Sequence, residues 1–522
     1  MSAALLAKVR SRGFTPGRRD LDALLALLGE VDETDAAHVT RALAQVPDAA
    51  VRAEASLAAA QPPQRHRLVG LLAKMRGDGA VDVLLRALAD DDPRTRKAAA
   101  RGLGRAQDSS VRSRAAAALA GALATEARPE VKRAVVEAIG KVGGAAELAA
   151  LERLGEGEGV FEQTRAEAAA RIERGRARSL PSRIVDDRPA AQPFDLVLRC
   201  REGLEGLLAE EMPGARVLGP GRVRARVRSL REATVAHVWS SVALPLYEGP
   251  DLVDERVAEL IAGAAPKLEA LTQGAVRYRI EWIGAGHKRA ATRALAQGVA
   301  RSSLVNDPIA SDWEIEIARG ARGLRVEAVP KSWDDRRFAY RVADVPAASH
   351  PTIAAALARA AGVRQDDVVW DPFVGSGLEL IERARLGPYR ELVGTDVDER
   401  ALAAAKKNLA SARVQGARLA PGDARTFDPG RVSLVLTNPP MGRRIPARPG
   451  GRAAAGESAR DAFLTDVLRN VTRRLERGGR LVWITPRARH TRRVLEQERL
   501  VLEASTLVAM GGFTATLERW KR

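Results

Sequence analysis

The chain has 522 residues, room for about three domains at roughly 100 to 200 residues each, and its 46% hydrophobic and 29% charged residues exclude a largely disordered polymer. Lys plus Arg number 84 against 66 for Asp plus Glu, a formal charge of +18 that favours a polyanionic partner, or else reflects an Arg- and Ala-rich coding bias. One cysteine, Cys200, and six scattered histidines exclude an internal disulfide and leave no metal-ligand spacing, so no metal is expected.

The opening MSAALLAKVRSRG holds too short an apolar run for a signal peptide, and no stretch approaches the roughly 20 apolar residues of a membrane span. A cytoplasmic protein without a membrane partner is the expectation.

Residues 1–180 are Ala-, Leu- and Arg-rich at helical period, without convincing strands. PPQRHRLVGLLAKM, DPRTRKAAARGLGRA and RPEVKRAVVEAIGKVG form a loose internal repeat, and Pro63, Pro93 and Pro129, 30 and 36 residues apart, each open a helix. The pattern resembles HEAT-type repeats, an all-α solenoid that would offer a docking surface for protein or RNA. Residues 181–193, polar and proline-bearing, read as a linker.

From 194 to 345 strands alternate with helices. FDLVLRC predicts a strand, EGLEGLLAEEM a helix and RVLGPGRVRARVRSL a hairpin. Strand alternation puts Arg222, Arg224, Arg226 and Arg228 on one face and Val223, Ala225 and Val227 on the other. The arginines are then either a phosphate-facing stripe or a solvated strand face. VRYRIEWIGAGHKRAATRAL predicts a further strand running into a basic helix, and DWEIEIARGARGLRVEAVP a strand pair. In order and spacing this α+β region resembles the part of certain RNA methyltransferases that contains the THUMP RNA-binding module.

The chemistry concentrates in residues 346–522, which predict an α/β Rossmann-like domain. In VVWDPFVGSGLELIERA a short apolar strand ending at Trp370 runs into a turn and then a helix. Gly375 and Gly377 permit tight backbone and close ligand approach, and the helix start offers unpaired N–H groups. ELVGTDVD adds a second strand ending in Asp396, placed to accept hydrogen bonds from ribose hydroxyls, and ARLAPGDA a third ending at Asp423, placed to meet an adenine amine. No Walker lysine follows the glycines, so the pattern suits a neutral-to-cationic nucleoside ligand such as S-adenosylmethionine.

VSLVLTNPPMGRR predicts a fourth strand ending in Asn438, Pro439 and Pro440. The lone pair of an exocyclic base amine is delocalised into the ring. The Asn438 amide oxygen and the Pro439 carbonyl can accept the amine's two hydrogens and localise that pair, so no strong base is required. Two prolines keep the turn rigid and remove competing N–H groups.

DPFVGSG, GTDVD, GDA and NPPMG, in that order, closely resemble the catalytic domain of the THUMP-linked RNA guanine-N2 methyltransferases. RRFAYRVADVPAASHPTIAAALARAAG is similar to that family's lead into its first helix, with Pro351 and Thr352 at the start. The resemblance implies that Asp371, Phe373, Gly375, Ser376 and Gly377 surround the methionine part of S-adenosylmethionine, Asp396 and Val397 the ribose, and Asp423 and Ala424 the adenine. It implies transfer to guanine N2 of tRNA or rRNA, with Asn438, Pro439, Pro440 and Met441 at the target base, although the motif residues alone do not separate guanine from adenine.

Two positions depart from the family. Met441 stands where Tyr or Phe stacks on the base, and Leu378 where a hydroxyl residue is frequent. Met441 keeps open a catalytically silent RNA-binding scaffold, and the motifs keep open a DNA adenine-N6 methyltransferase. The loop RRIPARPGGRAAAG, from Arg443, adds positive charge that clamps phosphates or is simply mobile, and GGRLVWITP with the final RLVLEASTLVAMGGFTATLERWKR predicts a fifth strand and a closing antiparallel pair.

Overall fold

A computed structural model describes residues 2–11, 13–154, 160–179, 181–284, 286, 288–321, 323–346, 348–440 and 457–522. The chain divides into two compact units, Met1–Leu180 and Pro181–Arg522.

The first unit is helical throughout its described residues. Helices Pro62–Arg76, Pro93–Leu103 and Pro129–Val142 each begin with proline, whose fixed φ and missing N–H suit a first turn. Asp92 caps the second by accepting from Thr95 N at 2.9 Å. The three lie side by side in sequence order, and small residues set how closely they approach. A Cβ on Gly102 would sit 2.9 Å from Ala73 Cβ, and one on Gly140 2.7 Å from Ala168 Cα. Each repeat therefore buries its apolar stripe against its neighbours, as a helical stack requires.

In the second unit, an eight-stranded sheet runs in the order 216–219, 222–227, 194–199, 241–249, 323–330, 313–320, 277–283, 305–306. The expected hairpin is present: Arg216–Gly219 pairs antiparallel with Arg222–Val227. Val223, Ala225 and Val227 are buried, while Arg224, Arg226 and Arg228 are exposed. Arg222 differs from the other three, for it bonds Glu248 at 2.9 Å and Glu327 at 2.6 Å. Part of the segment read as a linker is ordered here, because Ser182–Ile184 pairs antiparallel with Thr272–Gly274.

The remaining sheet has seven strands: β1 Val368–Asp371, β2 Glu391–Asp396, β3 Ala417–Pro421, β4 Val432–Thr437, β5 Leu475–Thr485, β6 Val501–Ala509 and β7 Thr514–Lys521. Their order is β3-β2-β1-β4-β5-β7-β6. The first five are parallel and β7 is antiparallel to both its neighbours, so the expected closing pair forms. Val369, Trp370, Val393, Leu434 and Val435 are fully buried, as parallel strands covered by helices on both faces demand.

At the amino end of β1, Asp367 is buried between two guanidinium groups, Arg383 at 2.7 Å and Arg480 at 2.8 Å, and accepts from Ser433 Oγ at 2.8 Å. The opposite, carboxyl edge of the sheet is thereby left for the site. No helix among the described residues is long and apolar enough to cross a membrane.

Candidate functional site at the carboxyl edge of the parallel sheet

Strand register brings the predicted residues to one edge. Asp371 lies opposite Gly394, Asp396 opposite Pro421 and Trp370 opposite Val435, so β1, β2, β3 and β4 end together. In such sheets this edge is where ligands bind.

The turn after β1 is held by its own strand ends. Asp371, fully buried, accepts from Phe373 N at 3.0 Å and from Thr437 Oγ1 at 2.6 Å with one oxygen. Its other oxygen, Oδ2, has no partner. Burial, then the neighbouring carboxylates of Glu379 and Asp396, hold Asp371 well above the usual carboxylate range. Gly375 N donates to Asp396 Oδ2 at 3.1 Å, and Asp398 N to Asp396 Oδ1 at 3.0 Å. Asp396 thus braces the turn across the strand gap.

The glycines are required where they stand. Gly375 has φ +50° and Gly377 φ +85°, and a Cβ on Gly377 would lie 3.2 Å from Ala405 Cβ. Gly377 caps helix Leu378–Leu386. Ser376 between them is buried with an unpartnered Oγ, and its carbonyl accepts from Asn408 Nδ2 at 2.9 Å.

Phe373 is half-buried against Phe463, with ring centroids 6.1 Å apart, and Val397 is exposed. Ala424 is buried. The third strand stops at Pro421, short of the expected Asp423, because Asp423 turns its carboxylate back to accept from Arg425 N at 2.9 Å and to bond Arg425 Nη2 at 2.6 Å. Hydrogen bonds from Arg425 hold Asp423 below its ordinary range. β1 runs one residue further than expected and includes Asp371 itself.

Asn438 follows β4 directly, its Nδ2 donates to Ser349 Oγ at 2.9 Å, and its Oδ1 is buried without a partner. Pro439 is buried and Pro440 exposed. Met441 and the basic loop from Arg443 lie outside the described residues.

Sequence reading missed four residues here: Ser349, Glu379, Asn408 and Thr437. Glu379 is 3% exposed in the first turn of its helix and accepts from the Ser349 hydroxyl; burial pushes its carboxyl up to about 7. The Asn408 amide also bridges Val342 and Ala343, tying the turn to the segment before helix Pro351–Ala361. A buried carboxamide within ERALAAAKKNLAS was the available signal for Asn408.

The chemistry of this edge can be stated from its unpaired atoms. Asn438 Oδ1 accepts only, Ser376 Oγ accepts or donates, Asp371 Oδ2 does either because its carboxyl is held well above the usual range, and Asp396 adds a carboxylate at the end of β2. That donor set fits a cationic ligand carrying N–H and O–H groups. It does not fit a phosphate. Among the described residues no group of three or more His, Cys, Asp or Glu could hold a metal ion.

Comparison with known proteins agrees with this geometry. Residues 338–515 match the RMKL-like methyltransferase domain family, and residues 57–140 match HEAT repeats. Over 98 residues the chain is 31% identical to the tRNA (guanine(10)-N2)-dimethyltransferase of Methanothermobacter thermautotrophicus. That match covers 19% of this chain and 29% of the relative, so the chain spans under a third of that protein's length. The crystal structure of TrmN from Thermus thermophilus superposes with a TM-score of 0.50 at 24% identity, over 63% of this chain and 99% of that one, a likeness of fold.

Proposed function

Because residues 338–515 are an RMKL-like methyltransferase domain in a chain that also carries HEAT repeats, we propose that this protein uses S-adenosylmethionine to methylate an exocyclic nitrogen of an RNA base, guanine N2 of tRNA or rRNA. One observation carries the reading: the Asn438 amide at the end of β4 is held through its nitrogen, and its oxygen is buried without a partner.

Bound S-adenosylmethionine supplies a methyl group activated by its sulfonium. In this reading Asp371, Phe373, Gly375, Ser376 and Gly377 hold the methionine part. Asp396, whose oxygens each accept one backbone N–H, keeps further lone pairs for the ribose hydroxyls, with Val397 beside it. Asp423 and Ala424 border the adenine. Asn438 Oδ1 and the Pro439 carbonyl accept the hydrogens of the target amine, turning its lone pair towards the methyl group. Pro440 follows at the target base, and Met441 is assigned there from its place in the motif alone.

The RNA grip is assigned to the eight-stranded region, by likeness to THUMP modules. Its support is a cavity of about 580 Å³ lined by Trp282, Lys288, Arg289 and Arg293, in which Lys288 Nζ lies 4.7 Å from the Trp282 ring centroid. The three cations suit the phosphates of a nucleic-acid strand. The helical repeats would dock protein or further RNA.

The deciding measurement is incorporation of tritiated methyl from the cofactor into RNA. Asn438→Ala is expected to abolish incorporation while calorimetry still detects cofactor binding; unchanged incorporation would refute the reading. Met441 favours a second reading, a scaffold that has kept the fold, and absence of S-adenosylmethionine binding would select it. Label entering DNA rather than RNA would select an adenine-N6 enzyme.

A further inference from the structure

Resting on the methyltransferase reading, we infer that Ser349 and Glu379 are positioning residues that select the productive orientation of the Asn438 amide.

A carboxamide has two faces of opposite character, an acceptor oxygen and a donor NH2. Only the orientation with Oδ1 outward can accept hydrogens from a base amine. With the NH2 outward, donor meets donor. The side chain of Asn438 cannot distinguish these orientations by shape, because its two ends are nearly the same size. Something behind it must do so.

The residues behind it form a chain of single polarity. Asn438 Nδ2 donates to Ser349 Oγ at 2.9 Å, and Ser349 Oγ donates to Glu379 Oε1. Once ionised, as it is above the value of about 7 to which burial raises it, the Glu379 carboxylate accepts only. It therefore commits the single hydroxyl hydrogen of Ser349, so that only lone pairs face Asn438. The amide must then turn its NH2 to Ser349 and its oxygen away, and that oxygen is the buried atom left without a partner.

The placement of Glu379 supports a specific use. It lies in the first turn of helix Leu378–Leu386, where Leu378, Leu380 and Ile381 are all buried, so an apolar side chain would satisfy the packing there. Burying a carboxylate beside Asp371 instead costs desolvation and repulsion. The helix N-terminus offsets part of that cost. Among the described residues no basic side chain is paired with Glu379, whereas Asp367 at the other end of the sheet has two. Its hydrogen-bond partner is Ser349, and through Ser349 it reaches Asn438.

The consequence of losing either residue is the same. Without Glu379 the Ser349 hydroxyl can rotate and donate to Asn438 Oδ1, which stabilises the wrong orientation. Without the hydroxyl the amide has no preference. Ser349 is hydrogen-bonded to Asn438 and Glu379, whereas Glu379 also places charge beside Asp371, so S349A, which keeps that charge, isolates the positioning role.

The test compares the full-length chain with S349A, S349T, E379L, the double variant S349A/E379L and N438A, each assayed at about pH 8.5, where Glu379 is ionised, with unmodified tRNA transcripts and rRNA and tritiated cofactor. S349A and E379L are each expected to lower kcat about tenfold, the scale of one misaligned hydrogen bond, with KM for RNA within about twofold of the original for both and cofactor affinity within about twofold for S349A. The double variant should lose no more than either single one, because both act through one chain of hydrogen bonds. S349T, which keeps the hydroxyl, should transfer normally. Thermal unfolding of E379L provides the fold control, since a leucine in that apolar turn is expected to leave the melting temperature equal or higher.

If S349A and E379L turn over at the original rate while N438A is inactive, the positioning role is overturned and the methyltransferase reading stands. Equal losses of kcat and cofactor affinity in S349A also overturn it, by assigning the pair to the cofactor. So does an S349T variant no better than S349A. Normal transfer by N438A removes the underlying reading and this inference together.

Discussion

Gly203 and Leu507 meet backbone to backbone: a Cβ on Gly203 would lie 1.7 Å from the Leu507 carbonyl oxygen. Around them Ala509 N donates to Glu202 O at 3.0 Å and Thr506 Oγ1 to Gly203 O at 3.2 Å. A loop of the eight-stranded region is thus bonded to β6, the edge strand of the other sheet. It gives that edge hydrogen-bond partners and ties the two sheets together.

Gly203→Ala is expected to destabilise the chain by about 2–5 kcal/mol, from the strained positive φ and the overlap with backbone that cannot move aside. Gly206→Ala is the control, because nothing lies within 4 Å of its Cβ position in a helix, and it should be neutral or stabilising. Urea unfolding of both variants checks this. Equal stabilities would refute the close approach.

Asp367 is a second point of vulnerability. Asp367→Ala leaves Arg383 and Arg480 buried without their counter-ion, a loss of about 3–5 kcal/mol by equilibrium unfolding. Hydrogen bonds and charge from these partners outweigh desolvation and hold its carboxyl below the ordinary 3.8. Its contribution is therefore full above about pH 4 and disappears as pH falls through the lowered value. The variant should lack that acid-induced loss.

Glu379 titrates with the opposite sign. Its carboxyl is raised from 4.5 to about 7, so between those values the unfolded chain releases a proton that the folded chain keeps. Stability accordingly falls as pH rises through this window and levels off above it, by at most about 3.5 kcal/mol at about 1.4 kcal/mol per unit. Glu379→Gln has no proton to lose, so its stability relative to the original should increase from about pH 5 to about pH 8 in paired urea melts. A constant difference would contradict the burial of this carboxylate.

Asp396→Ala is expected to weaken S-adenosylmethionine binding by tenfold or more, the scale of hydrogen bonds to a charged group. It also frees Gly375 N, so the turn loses its brace. Calorimetry with the cofactor measures the loss. Undiminished affinity would remove Asp396 from the proposed ribose site.

Much of the fold could be read from sequence because it depends on local pattern. Apolar runs marked β1, β2 and β4, and Pro–helix junctions marked Pro62–Arg76, Pro93–Leu103 and Pro129–Val142. Strand alternation separated the arginines of 222–227 from the buried Val223 and Ala225, yet could not show that Arg222 is committed to Glu248 and Glu327. Asp423 was read as the end of a third strand from its place in ARLAPGDA. Its turn back onto Arg425 decided otherwise.

What sequence by itself determined is the set of strand-end residues, Asp371, Gly375, Gly377, Asp396 and Asn438, since each follows an apolar strand and has a residue type suited to one chemical task. What only the tertiary structure decided is which atoms of those residues remain unpaired. Asn438 Oδ1 is left free of partners because Ser349, 89 positions away, takes the amide nitrogen, and Ser349 is oriented by Glu379 in a third segment. Hydrogen-bond polarity passes through space between segments that share no local pattern, so no reading along the chain could contain it.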